Sequence, residues 1–212
     1  MHRRLQWLLA LNLFLFVLFS LGVMTTPPFL TTMDEWGMKT TADSDDQTTI
    51  QIARFFSTVT SYKVCLTTGF IVSFIFIYLN KYRTSFFILL GAACSKFISA
   101  GLKDFFSRER PLVDSFVSVN GGAFPSAHMI YAVFLTGSLF ILFSVYLKRT
   151  GRGIFMLGGF LVVGMVGWSR VHLGAHYISD VLGGFFIGFV WLLVMDLLSQ
   201  KKISNDVRRK DS

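Results

Sequence analysis

Six stretches of this chain stay apolar long enough to cross a bilayer, and the polar segments between them are short. A helix of ~20 apolar residues, rising 1.5 Å per residue, spans the hydrocarbon core. The runs fall at about 5–24, 64–80, 85–102, 128–147, 154–168 and 177–198. They predict an all-α, six-transmembrane-helix bundle forming a single membrane domain over residues 1–212. The first run follows the basic start Met1-His2-Arg3-Arg4, as a secretory leader would. Its apolar stretch exceeds the ~7–15 residues of a leader core, and Ser20/Gly22 is a poor cleavage pair, so it reads as a retained anchor.

The polar segments separate by charge. Twelve of the 20 Lys and Arg residues cluster at Arg3–Arg4, Lys81–Arg83, Lys148–Arg152 and Lys201–Lys210. With six spans these ends share one side, which the positive-inside rule makes cytoplasmic, with both termini. The other side holds 25–62, 103–127 and 169–176. The first of these begins Pro27-Pro28, which reads as a loop, and carries Asp34, Glu35, Asp43, Asp45 and Asp46. Its Ile50–Phe56 stretch reads as a short helix on the membrane interface.

Composition narrows the class. Hydrophobic residues make up 53% of the chain and charged residues 15%, against ~25% in soluble proteins. That excludes a disordered chain, a collagen-like fibre, a disulfide-rich module and an ordinary soluble domain. The net charge of +8 would suggest nucleic acid in a soluble protein. In this apolar chain it is topological, and the expected partner is the lipid bilayer, with no nucleic acid. Cys65 and Cys94 lie in apolar runs and read as small buried hydrophobes.

The chemistry collects on the outer side. Lys103, Arg110 and Arg170 bring three cations to one membrane face, suited to phosphate oxygens. His176 and Asp180 stand four apart at the start of a helix, so the carboxylate can hold Nδ1–H and leave Nε2 free to attack. Ser126, Ala127 and His128 open the fourth span, where backbone N–H groups favour an anion and His128 is a candidate acid. These parts converge on phosphoryl transfer with the cations stabilising charge; no carboxylate cluster suggests a metal site, and no cofactor is expected.

The pattern Lys103-x6-Arg110-Pro111, Pro125-Ser126-Ala127-His128 and Ser169-Arg170-x5-His176-x3-Asp180 resembles the three signatures of the type-2 phosphatidic acid phosphatase superfamily, the lipid phosphate phosphatases. The resemblance implies a metal-independent membrane phosphatase with its site at the extracytoplasmic ends of spans three to six. It implies His176 as a nucleophile forming phosphohistidine, Asp180 as its partner and His128 as general acid. It implies Lys103, Arg110, Ser126 and Arg170 as phosphate binders. Ala127 departs from the family's usual Gly at the substrate-binding turn; it is compatible where that residue is helical. Implied substrates are undecaprenyl diphosphate, phosphatidylglycerophosphate or phosphatidic acid. A non-catalytic lipid-binding or scrambling relative, and a small transporter, are the readings from other classes.

Three basic side chains occupy none of the fixed positions of those signatures. Arg108 reads as a loop ion pair with Glu109 or Asp104, and His172 as a solvated or hydrogen-bonded ring. Lys96 lies inside the third span, where a charge costs at least ~2.5–3.5 kcal/mol at mid-bilayer. It has two readings: a structural hydrogen bond to carbonyls or nearby serines, or a second phosphate or headgroup contact below the main site.

Overall fold

A computed structural model describes residues 2–42, 46–111, 116–117, 120–144 and 146–200. The basic cluster from Lys201 to Lys210 and the acidic Asp43 and Asp45 lie outside these. Eight helices run in order: α1 (His2–Thr25), α2 (Pro28–Ala42), α3 (Gln47–Val59), α4 (Tyr62–Tyr78), α5 (Tyr82–Phe106), α6 (Ala127–Phe143), α7 (Arg149–His172) and α8 (Ile178–Gln200). There is no strand among the described residues. Helices α1, α5, α7 and α8 are each long and apolar enough to cross a membrane. Helix α4 has 17 residues and qualifies together with α3, the two meeting at a 46° bend. Helix α6 is also apolar, at 17 residues. The chain is a multi-pass membrane protein.

The loop expected at Pro27-Pro28 is instead the start of a helix, α2, and the short helix expected at Ile50–Phe56 is part of the longer α3. Pro28 occupies the first helical position of α2, where its missing N–H is no loss and its fixed φ suits the helix. Asp46 caps α3, accepting from the Thr49 backbone N–H at 2.9 Å. The stretch expected to lie on the interface belongs to α3, whose Ile50 and Ala53 are buried against Leu173. Two further boundaries move. Helix α5 runs to Phe106, so Lys103 is helical; α7 runs to His172, so Ser169 and Arg170 are helical too. Hydropathy falls at these polar residues, yet the helices continue because Ser169 and Arg170 face the interior.

Helix α6 is the hub. Its residues Met129 to Phe134 are all buried, and it packs on α4, α5, α7 and α8. Helix α1 lies along α8, and its Phe16 stacks on Phe124, in the segment before α6, at 6.1 Å. The Trp191 indole N–H donates to the Gly91 carbonyl at 2.9 Å, tying α8 to α5. Phe14, Phe74, Leu157 and Leu161 point outward and are exposed, as a lipid-facing surface requires.

Candidate active site

The first cations come from the end of α5. Ser107 stops that helix in a left-handed conformation, φ 44°, with its N–H on the Lys103 carbonyl. Lys103 Nζ donates to the Gly122 carbonyl at 2.7 Å. Arg110 is held by four carbonyls: Nε donates to Gly121 at 2.9 Å, one terminal nitrogen to Ala175 at 2.6 Å, and the other to Asn120 at 3.1 Å and Gly122 at 3.2 Å. The approach at Gly122 needs glycine, because a Cβ there would lie 2.9 Å from the Lys103 carbonyl oxygen. The guanidinium is thereby fixed beside the residue preceding His176.

The start of α6 supplies the second group. Ser126 is its N-cap, and its backbone N–H donates to the Asp180 carbonyl at 3.0 Å. That donor is therefore spent on α8, contrary to the expectation that it faces an anion. The Ser126 hydroxyl is fully buried with no hydrogen-bond partner. Ala127 is the first helical residue of α6, so the substitution for Gly adds a methyl without a special backbone conformation. The His128 ring tilts against Tyr131 at 6.2 Å.

The α7–α8 corner supplies the third. The Arg170 carbonyl accepts from the Ala175 and His176 backbone N–H groups at 3.1 and 3.2 Å, and Gly174 turns the chain at φ 66°. One Arg170 terminal nitrogen donates to the Ser57 hydroxyl of α3 at 2.6 Å; its Nε is buried without a partner. His176 is 2% exposed and precedes α8 rather than lying on it. Its Nδ1 stands 3.5 Å from Asp180 Oδ2, close enough for an ion pair but with no hydrogen bond. The reason is competition: Oδ2 accepts the Tyr177 backbone N–H at 2.9 Å, the reciprocal half of a capping box, and Oδ1 accepts from Arg108.

Six of the eight residues singled out by sequence line one cavity of about 520 Å³: Lys103, Arg110, Ala127, His128, Arg170 and His176. Ser126 and Asp180 do not line it; both are buried behind its wall. Burial pushes the His176 imidazole well below its ordinary range, helped by Arg170, Lys103 and Arg110, while the Ala123 carbonyl acts the other way. Burial also lowers Arg110, with Asp180 opposing. Among the described residues, no group of three or more His, Cys, Asp or Glu side chains is placed to hold a metal ion.

Sequence reading missed a buried network behind this wall. Arg108 bonds neither Glu109 nor Asp104. It donates to Asp180, to the Ser179 hydroxyl at 2.6 Å and to Asp34 of α2 at 2.8 Å, and lies 4.4 Å over the Tyr177 ring. Asp34 also accepts the Ser179 backbone N–H at 2.9 Å and the Ser179 hydroxyl at 2.6 Å. The one available signal was that Asp34 and Arg108 carry opposite charge in two outer segments. His172 is likewise not solvated: it is 3% exposed, stacked on Trp168 at 4.9 Å, with Nε2 buried and unpartnered. Lys96 lines the cavity, with its ammonium 5.4 Å over the Tyr62 ring.

Comparison with known proteins places this arrangement. The sequence model of the PAP2 superfamily matches residues 84–204. Phosphatidylglycerophosphatase B of Bacillus subtilis (strain 168) is 29% identical over 117 residues, which is 54% of this chain and 57% of that protein, so the match spans little more than half of that relative. The crystal structure of a transmembrane PAP2-type phosphatidylglycerolphosphate phosphatase from Bacillus subtilis superposes with a TM-score of 0.79 at 21% identity, covering 90% of this chain and 96% of that one. Aquifex aeolicus LpxE gives a TM-score of 0.56 at 21% identity, over 74% and 91%. Both superpositions are likenesses of fold.

Proposed function

This chain belongs to the PAP2 superfamily, and on that premise we propose that it hydrolyses a membrane-lipid phosphate or diphosphate through a phosphohistidine on His176. One observation carries the reading: two imidazoles and three cations from α5, α6, α7 and the loops between them line a single cavity. The buried, unpartnered Nε of Arg170, a side chain of the cavity wall, supports it, because buried polar groups are rarely left unsatisfied unless a ligand completes them.

Lys103, Arg110 and Arg170 hold the phosphoryl oxygens and stabilise charge as the transition state forms. Neutral His176 attacks phosphorus through Nε2, and the bond to the leaving oxygen breaks. His128 gives that oxygen its proton. Asp180, facing Nδ1, stabilises the positive charge that develops on the attacking ring. A water then gives its proton to His128 and attacks phosphorus, releasing phosphate and regenerating His176. Arg108 and Asp34 act as positioning residues, fixing the carboxylate of Asp180 against the ring.

The bundle crosses the membrane six times in this reading, with α3 and α4 forming one broken crossing, both termini cytoplasmic and the site extracytoplasmic. The substrate's tails then stay in the bilayer while its phosphate stays at headgroup level. Undecaprenyl diphosphate, phosphatidylglycerophosphate and phosphatidic acid are the substrates to compare. The test is phosphate release by purified protein over these lipids, with acid-quenched phosphoenzyme trapping. His176→Ala is expected to abolish both signals; near-normal turnover in that variant rejects the mechanism.

A further inference from the structure

Helix α5 carries a second lysine toward the same cavity, and the mechanism above leaves it unused. Lys96 precedes Lys103 by seven residues, two helical turns, so the two share a face about 10 Å apart along the axis. Both line the cavity that holds His128 and His176. The wall around Lys96 is rich in hydroxyls: Ser99 of α5, Tyr131 of α6, and Thr58 and Ser61 at the α3–α4 bend. Lys96 is exposed, its ammonium meets the Tyr62 ring, and among the described residues it forms no ion pair. A cation in a spanning segment without a counter-charge is costly and reads by default as part of a functional site.

The geometry points to a subsite for a second phosphate on the same lipid, held by Lys96 while the scissile phosphate sits among Lys103, Arg110 and Arg170. It rests on the phosphatase reading and narrows the substrate class. The axial separation of the two lysines, shortened by the flexible stem of Lys96, suits a phosphodiester set back from the scissile group by a short spacer such as glycerol. A diphosphate has one bridging oxygen between its phosphorus atoms and fits less well. Phosphatidic acid offers nothing anionic at this depth.

The test uses full-length protein in neutral phosphatidylcholine nanodiscs, as wild type, Lys96→Met and Lys96→Arg, after melting curves show comparable folding. Phosphate release is measured on phosphatidylglycerophosphate, a prenyl diphosphate and phosphatidic acid. Lys96→Met is expected to raise KM for phosphatidylglycerophosphate at least tenfold more than for phosphatidic acid, and Lys96→Arg to recover most of that loss. The prenyl diphosphate is expected to change as little as phosphatidic acid; a KM rise matching that of phosphatidylglycerophosphate overturns the spacer assignment. Equal changes on all three lipids, or none, overturn the subsite. Binding of phosphatidylglycerophosphate and phosphatidic acid to the His176→Ala protein keeps the two ideas apart. Wild type that releases no phosphate sinks the phosphatase reading, while a selective loss of phosphatidylglycerophosphate binding in His176→Ala/Lys96→Met still supports the subsite, and no selective loss sinks it.

Discussion

His176 is buried beside three cations, and this sets its titration. Its proton binds less readily in the folded protein than at the ordinary imidazole value of 6.5. If His176 is the proposed nucleophile, its ring stays neutral to below that pH, and the acid limb of kcat/KM is expected below 6.5 in a pH-rate profile. The sign for stability agrees. The depressed group favours the folded state above about pH 6.5, and the contribution fades as pH falls through the folded value. The Asp34 network makes a separate prediction. Asp34→Asn keeps the shape but weakens the hold on Arg108, so kcat should fall by about tenfold with KM within about twofold. In an Asp180→Asn background the same change should cost little, because the group it acts through is gone. Additive losses would reduce Asp34 to a structural tie. The pairing of His176 with Asp180 was legible because a four-residue offset is local. The Arg108–Asp34 bond was not, since 74 residues separate the partners and neither is a fixed position of a recognisable signature.

Helices α5 and α7 show where pattern reading stopped short. Each ends in polar residues that hydropathy assigns to loops, but Lys103 and Arg170 reach the site because the helix carries them there. A polar residue facing an interior cavity and one facing solvent look alike in sequence. Helix α2 was lost differently: Pro27-Pro28 signals both a turn and a helix start, and tertiary packing decided for the helix. The opening of α8 is the tightest joint near the site. A Cβ at Gly184 would meet the Ser126 carbonyl oxygen at 2.6 Å and Met129 Cβ at 2.8 Å, so backbone must shift. Gly184→Ala is expected to destabilise by about 1–3 kcal/mol and to lower turnover by moving His128. Gly158→Ala on α7, with nothing within 4 Å, is the matched control and should leave melting and turnover near wild type.

Across the whole molecule, the apolar pattern found every long helix, because lipid demands continuous hydrophobic length. Of the two short helices after α1 it found only part of α3, at Ile50–Phe56, and it missed α2, whose composition is half polar. The proposed six crossings put Glu109 outside and Thr150 inside. A membrane-impermeant thiol reagent applied to intact cells is therefore expected to label Glu109→Cys and to spare Thr150→Cys. Reversed labelling would turn the site toward the cytoplasm. In the proposed mechanism Lys103, Arg110 and Arg170 carry the charge stabilisation, so a chelator should leave phosphate release unchanged, and vanadate should compete with substrate for the same cradle.

The family signatures all fall within residues 84–204, yet Asp34 sits well ahead of them. A shortened homologue starting near α5 would keep each recognisable signature and still leave the guanidinium of Arg108 facing one carboxylate instead of two. If Asp34→Asn slows turnover as expected, a chain without the amino-terminal helices is expected either to need another acid at that spot or to run slower.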